Sequence, residues 1–565
     1  MTKEEVDDVE RAVLLDDPDN ERSPDTPRRL TGFDGIADSD EPLGSKVELA
    51  ESAPKERSFR ELLFIFAPMW LGMWLAALDS TIVLASYASV GDELKELKSM
   101  SWISTGYLLT QASSQPLYSK LSDIFGRKPC LLVAYTLFAL GCLACGMSKS
   151  MWQLVAARML AGMGGGGMTT VVTITMSDLV PLRERGMWHG VGNIVWMAGS
   201  VIGAPLGGWM ADTVGWRWSF FFQIPLAMLA FGTVGALLNI PGQRRVALED
   251  KLRRIDFVGS FCLISTVASL LVTLDHGGDV GWTNKQTTIP LGIFVVFLGA
   301  LIVTERNFAK EPVIPGKTLT NPTYLVIYLS NMASRGTIIS TTFYISLYIR
   351  AVSGKTAAQA GTALLPSIIG GLMGSLAGGK YTQATGRFKK ITVMLNAGMV
   401  LGSLFIASFT GVLAHFYIAI ELGFFLVAIA NGCAMNTTLV SLVAEAGPEE
   451  QAVASGVLYL FRSLGSVCFL SISSTVFQDT LRRLLQKALR GYELQDVEKI
   501  VGKVREALSN IEELDVDTQA AVHDAYGKSL QVVFAFCLGL AVCALLTSVF
   551  LKDRVLASHG SRARG

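Results

Sequence analysis

Apolar stretches of about twenty residues alternate with short polar connections along this chain, and the alternation repeats about fourteen times. The stretches fall near 62–88, 102–121, 129–147, 152–175, 189–211, 219–240, 256–274, 287–304, 323–348, 359–379, 391–412, 416–437, 453–477 and 528–551. At 1.5 Å per helical residue each can cross a bilayer. The pattern therefore predicts an all-α polytopic membrane protein of about 14 transmembrane helices. The connections sort by charge. Arg127 and Lys128, then Arg183 and Arg185, then Arg244, Arg245, Lys251, Arg253 and Arg254, then Arg387, Lys389 and Lys390 fall on one side. The alternate loops carry few basic residues or balance them with acids, so the positive-inside rule places both termini in the cytosol. A long connection, 479–527, falls on the opposite side. Its amphipathic segments LRRLLQKALR and VEKIVGKVREAL suit a covering or structural role.

The chain repeats itself internally. SKLSDIFGRK follows the second stretch and GKYTQATGRFKK the tenth, with Gly126–Arg127 and Gly386–Arg387 at the same offset. VPLRERGMWHG with GSVIG, after the fourth, is echoed by GPEEQAVASG with GSVCF, after the twelfth. Two related six-helix halves (61–241 and 319–552) are expected, separated by a linker with two extra helices (242–318). Polar cytosolic tails occupy 1–60 and 553–565. Parallel halves around a midplane site are a transporter architecture.

Half of the 565 residues are hydrophobic and 17% are charged; the net charge is zero and the mean hydropathy is +0.42. Nothing here points to a nucleic-acid partner. The eight cysteines lie in or beside apolar stretches, without an extracellular spacing framework, and read as reduced. The N-terminal segment has no apolar core of a secretory signal. GMGGGG (162–167) satisfies GxGxxG but lies inside a membrane stretch, and GxxxxGK[ST] is missing, so no nucleotide site is read. The five histidines form no metal-binding or catalytic constellation. No enzyme activity, cofactor or metal is expected, and transport must draw on an ion or solute gradient.

Charge inside the apolar stretches is the remaining signal. Asp79 interrupts LAALDSTIVLASY, where a carboxylate costs at least ~2.5 kcal/mol on insertion scales. Arg158, Arg335, Glu421 and Arg462 are embedded likewise. Asp79 and Glu421, in opposite halves, are candidate proton carriers at a central cleft, with static buried ion pairing as the alternative. Gln111, Gln115, Asn331, Asn431 and Asn436 are candidate cavity-lining groups, as are Tyr107 and Trp196. Two acids and three bases suit a basic amino acid, with an arginine on its carboxylate, and equally an anionic or amphiphilic metabolite. Gly199, Gly203 and Gly207 share one helix face, with Gly208 adjacent and Pro205 a local kink.

LDSTIV (78–83), SKLSDIFGRK, LVAARMLAGMG, GSVIGAPLGG and WRWSFFFQIP together resemble the major facilitator superfamily, specifically its fourteen-span drug:proton antiporters. SWISTGYLLT, QPLYSKLSDIFGRKPC, MSDLVPLRERGMWHGVGNI and GAPLGGW resemble the fungal branch of vacuolar basic-amino-acid transporters and multidrug or metabolite efflux pumps. The resemblance implies a monomeric, proton-coupled antiporter working on small molecules by alternating access. The best match is basic amino acids into the vacuole; the alternative is plasma-membrane efflux of drugs, toxins or a secondary metabolite, and a transporter-like nutrient receptor is a more remote one. It implies a role for Arg158 in proton transfer, and a conformational latch at Asp123, Gly126, Arg127 and Lys128. It also implies that the glycine face of the fifth helix packs between the halves. Departures from the pattern are Ser119 in place of glycine, which predicts slightly looser packing against the other half, Ala161 in place of glutamine, and Ala204 before Pro205. ERAVLL (10–15) fits an acidic dileucine sorting pattern, which tilts the reading towards the vacuole.

Overall fold

The apolar stretches fold as helices, and no strand occurs among the described residues. The computed structural model describes 59–94, 101–182, 184–238, 250, 254–279, 281–308, 312–352, 363–410, 417–488 and 516–553. The N-terminal half comprises α1 (Phe59–Leu94), α2 (Ser101–Phe125), α3 (Arg127–Met147), α4 (Met151–Leu179), α5 (Arg185–Thr213) and α6 (Trp218–Leu237). Two helices follow, α7 (Phe257–Asp279) and α8 (Lys285–Asn307). The C-terminal half comprises α9 (Pro322–Ala351), α10 (Leu365–Thr385), α11 (Lys389–Phe409), α12 (Tyr417–Gly447), α13 (Glu450–Lys487) and α14 (Val516–Val549). The sorting stretch 10–15, residues Arg183, Arg244, Arg245, Lys251 and Arg253, and both tails up to 58 and from 554 lie outside the described residues.

Local chemistry sets the helix ends. Ser150, Asn284 and Asn321 cap α4, α8 and α9 by accepting from Gln153, Gln286 and Thr323 N–H groups, and Pro322 opens α9. The repeated Gly-Arg turns use positive φ in both halves, 102° at Gly126 and 66° at Gly386, a region open to glycine at little cost. Gly447, at φ 68°, separates α12 from α13. At the far end of the bundle, Arg217 and Trp216 donate to Glu93 at 2.5 and 2.7 Å and hold its carboxyl below the ordinary glutamate range.

Ten of these helices are long and apolar enough to cross a membrane; α2, α4, α9 and α10 fall short. Of those four, α2 and α4 pack on one another, α9 packs on α13 and α14, and α10 packs on α12 and α5. The run from Gly164 to Ser177 in α4 is buried throughout. The two halves share one packing scheme: α1 on α5, α2 on α4 and α3 on α6 recur as α9 on α13, α10 on α12 and α11 on α14. The halves meet where α2 packs on α13 and α10 on α5. Of the inserted pair, α7 bridges the halves, with Trp102 against His276 and Ser471 donating to the Leu274 carbonyl. Helix α8 is peripheral and exposes Ile289, Val295, Val296, Ile302 and Val303. The long connection expected at 479–527 is helical at both ends, because α13 and α14 run beyond their apolar parts; 489–515 lies outside the described residues. All eight cysteines are free.

Candidate functional site

Asp79 on α1 and Arg158 on α4 meet inside the N-terminal half. Arg158 Nη1 donates to Asp79 Oδ2 at 2.6 Å, with side chains 1% and 0% exposed. Gln223, at the start of α6, donates from Nε2 to Asp79 Oδ1 at 3.2 Å and to the Ser219 carbonyl at 2.8 Å. Arg158 Nε reaches the Ile103 carbonyl at 3.3 Å, and its guanidinium lies 4.3 Å from the Tyr107 ring centroid. Tyr107 in turn donates to the Ala76 carbonyl at 3.3 Å. The apolar cluster of Leu75, Leu78, Ile82, Phe138 and Val155 surrounds this network. In such surroundings each charge is tolerable only because of the other. Ala161 lies buried at the α3–α4 crossing, under Gly141, and contributes no side-chain hydrogen bond.

A second polar group lies between the halves, around a small recess. Asn193 on α5 donates to Asn436 Oδ1 and Ser375 Oγ at 2.8 and 3.1 Å. Tyr459 on α13 donates to Thr173 on α4 at 2.8 Å, and Ser463 to Gln115 at 3.3 Å. Arg462 Nε donates to Asn331 Oδ1 at 3.1 Å, Nη2 reaches the Met435 carbonyl at 3.4 Å, and the guanidinium lies 4.8 Å from the Tyr459 centroid. His189, one helical turn before Asn193, pairs with Ser177 Oγ at 3.0 Å.

The geometry gathers some of the expected residues and scatters others. Asn331, Asn436, Gln115 and Arg462 collect around the interface, and Arg335 lies one turn from Asn331 on α9. Gln111 instead lies against the α4 backbone beside Gly166, and Asn431 turns to Met435 Sδ, 3.9 Å away on its own helix. Glu421, expected to face the central cleft, is exposed one turn into α12, beside a small recess with Tyr348 and Phe424. Its helix begins only four residues earlier, which puts it at the end of the bundle. Trp196 is half-buried against the N-terminal core. His189, Asn193, Thr173 and Tyr459 were not singled out from the sequence. The i,i+4 spacing of His189 and Asn193 in an apolar helix was the available signal.

At the basic-loop end, Arg127 Nε donates to Asp178 at 2.8 Å and Nη1 to Asp123 and Ser122 at 2.7 and 2.6 Å. Asp178 also accepts from Gln451 of the other half at 3.0 Å, and Gln451 accepts from Arg185 at 3.1 Å. The network thus spans both halves through Asp178 and Gln451; Gly126 supplies the turn and Lys128 takes no part.

The glycine stripe on α5 requires a correction. Added carbons at Gly199, Gly203 and Gly207 would strike the Trp74, Leu78 and Ile82 carbonyls, so this face packs on α1 of its own half. Gly208 is half-buried and Pro205 is exposed within an unbroken α5. Close contacts between the halves are made instead by Gly186 with Gly379, and by Gly456 with Ser119. Ser119 is fully buried, because the small residue missing from α2 is supplied by Gly456 on α13.

The family model described as "Major Facilitator Superfamily" matches residues 69–469. The chain is 36% identical over 500 residues to a vacuolar membrane amino acid uptake transporter, fnx2, of Schizosaccharomyces pombe, covering 87% of this chain and 84% of that one. It is 35% identical over 505 residues to the multidrug resistance protein fnx1 of the same yeast, covering 88% and 94%. Among solved structures, the proton:xylose symporter XylE is similar with a TM-score of 0.54 at 14% identity, over 88% of this chain and 98% of that one.

Proposed function

We propose that this chain, which belongs to the major facilitator superfamily, is a proton-coupled antiporter that carries basic amino acids out of the cytosol and into the vacuole. The observation that carries the reading is the buried carboxylate–guanidinium pair of the N-terminal half, which can hold a proton. Separately, the two halves meet around a small polar recess where a solute path between them would run. The likeness to fnx2 supports an amino-acid substrate and the vacuolar membrane. By the positive-inside rule the end bearing Arg127, Arg185 and Arg387 faces the cytosol, with both termini on that side. The cross-half hydrogen bonds from Gln451 to Asn193 lie between that end and the recess. They belong to a conformer closed towards the cytosol.

The cycle then follows from the charges. A proton from the acidic lumen neutralises Asp79 and frees Arg158, and the halves rock to open the cytosolic end. Release of the proton there restores the ion pair as solute is taken up. All named groups come from one chain, so a monomer suffices. The likeness to fnx1 supports a second reading, efflux of drugs or metabolites across the plasma membrane by the same cycle.

Uptake of labelled arginine, lysine and histidine into acidified vacuolar vesicles tests the proposal. Uptake should require the protein and collapse with a protonophore. No difference between vesicles with and without the protein would remove the amino-acid reading and put efflux first.

A further inference from the structure

Two arginines at the middle of the C-terminal half have no acid to neutralise them among the described residues. Arg462 spends its hydrogen bonds on the Asn331 amide oxygen and the Met435 carbonyl, both uncharged. Arg335 stands one helical turn from Asn331 on α9, the residue whose amide oxygen accepts from Arg462. The Arg335 Nε is buried without a hydrogen-bond partner, and neither arginine is in an ion pair among the described residues. The embedded acids are engaged elsewhere: Asp79 by Arg158, and Glu421 at the exposed end of α12. Both arginines lie more than three helical turns from the described ends of their helices. Long side chains at helix ends can reach water, but these begin deep in the bundle. Two unneutralised cations at this depth are expensive, and the cost falls when an anion enters between them.

The shape of that anion follows from the donors. A guanidinium presents parallel N–H groups that match the two oxygens of a carboxylate, and Arg462 lines the polar recess between the halves. Asn193, Asn436, Tyr459 and His189 surround it with neutral hydrogen-bonding groups. We infer that Arg335 and Arg462 together bind the carboxylate of the transported solute, so that an organic acid group is required for recognition. The inference rests on the transport reading above and narrows it: a basic amino acid is held by its α-carboxylate, and the same compound without that group is not a substrate.

Thermal unfolding of the purified full-length protein tests this with matched probes. These are arginine, agmatine (arginine without its carboxylate), 3-phenylpropanoate (a carboxylate without an amine) and sodium chloride, with the cationic probes as chloride salts. A ligand that binds the folded chain raises its unfolding temperature in proportion to occupancy. Arginine and 3-phenylpropanoate should protect, and agmatine and sodium chloride should not. Arg335→Gln should weaken both carboxylates more than tenfold, and Arg335→Lys less. Arg335 Nε has no hydrogen-bond partner among the described residues, and a circular-dichroism spectrum of Arg335→Gln checks that the variant is folded; the wild-type comparison of arginine with agmatine needs no variant at all. Protection by 3-phenylpropanoate alone, lost in Arg335→Gln, would keep the carboxylate site and overturn the amino-acid reading. Equal protection by agmatine and arginine, protection by sodium chloride alone, or none by either carboxylate would overturn the site. Unchanged carboxylate affinity in Arg335→Gln would remove Arg335 from it.

Discussion

Asp79 illustrates why a buried ion pair resists simple mutagenesis. Arg158 sits 2.6 Å away with its side chain 1% exposed, so Asp79→Asn leaves an arginine charge with no counter-charge and no water. Removing one partner of such a pair costs about 3–5 kcal/mol, whereas replacing both by neutral groups costs much less. Asp79→Asn should therefore lower the unfolding temperature of the solubilised protein sharply, and Asp79→Asn with Arg158→Gln should recover much of it. Both variants should lack protonophore-sensitive uptake. Equal stability of the single variant and wild type would mean that the pair is not formed in the protein. Each of the two residues announced itself in the sequence, because charge inside an apolar run is costly. Their pairing did not, since they lie on different helices whose rotations no periodicity fixes. His189, Asn193 and Tyr459 carry no permanent charge and left no comparable mark, although Asn193 and Tyr459 hold the halves together as directly as any residue here.

Helix contacts show the same division between what a face is and what it meets. The spacing of Gly199, Gly203 and Gly207 placed them on one face of α5, and they do share it. The spacing carried no information about the neighbour, which is α1 rather than the other half. Conversely, the departure at Ser119 predicted a looser seam, but Gly456 on the facing helix makes the room that the serine takes. A carbon added at Gly456 would lie 2.7 Å from Ser119 Cβ and strike its hydroxyl. Gly456→Ala should consequently cost about 1–3 kcal/mol through overpacking and force α13 from α2. Ser119→Gly, added to Gly456→Ala, should restore most of that loss by clearing both the hydroxyl and its carbon. Thermal melts of the three variants give the answer; additive losses in the double variant would show that the two residues do not compete for one space. The number and order of helices were legible throughout, because membrane length and polarity constrain every span alike. The polar character of α2, α4, α9 and α10 marks them as the spans turned towards other helices.

At the scale of the molecule, the hydrogen bonds at the basic-loop end act as a bias on an equilibrium between conformers. Arg127 and Asp123 belong to the same half and cannot by themselves hold two halves together. The crossing is made by Gln451, which donates to Asp178 and accepts from Arg185. Each hydrogen bond contributes about 1 kcal/mol net, and those to charged groups somewhat more. Gln451→Ala removes both and should shift the population towards the conformer open at this end by roughly tenfold or more. A cysteine in place of Leu439, which lines the recess, reports that opening. In a background lacking the exposed Cys543 and half-buried Cys468, a membrane-impermeant maleimide applied from the Arg127 side should label it faster in Gln451→Ala. Asp178→Asn should act in the same direction, because it weakens the link to Gln451 and takes a counter-charge from Arg127. Arg127→Lys keeps the charge but not the fork that reaches Asp178 and Asp123 together, and should give a smaller change. If labelling rates are unchanged in Gln451→Ala, the network anchors the loop without setting the conformer, and closure must rest on the glycine contacts of α2 with α13 and of α5 with α10.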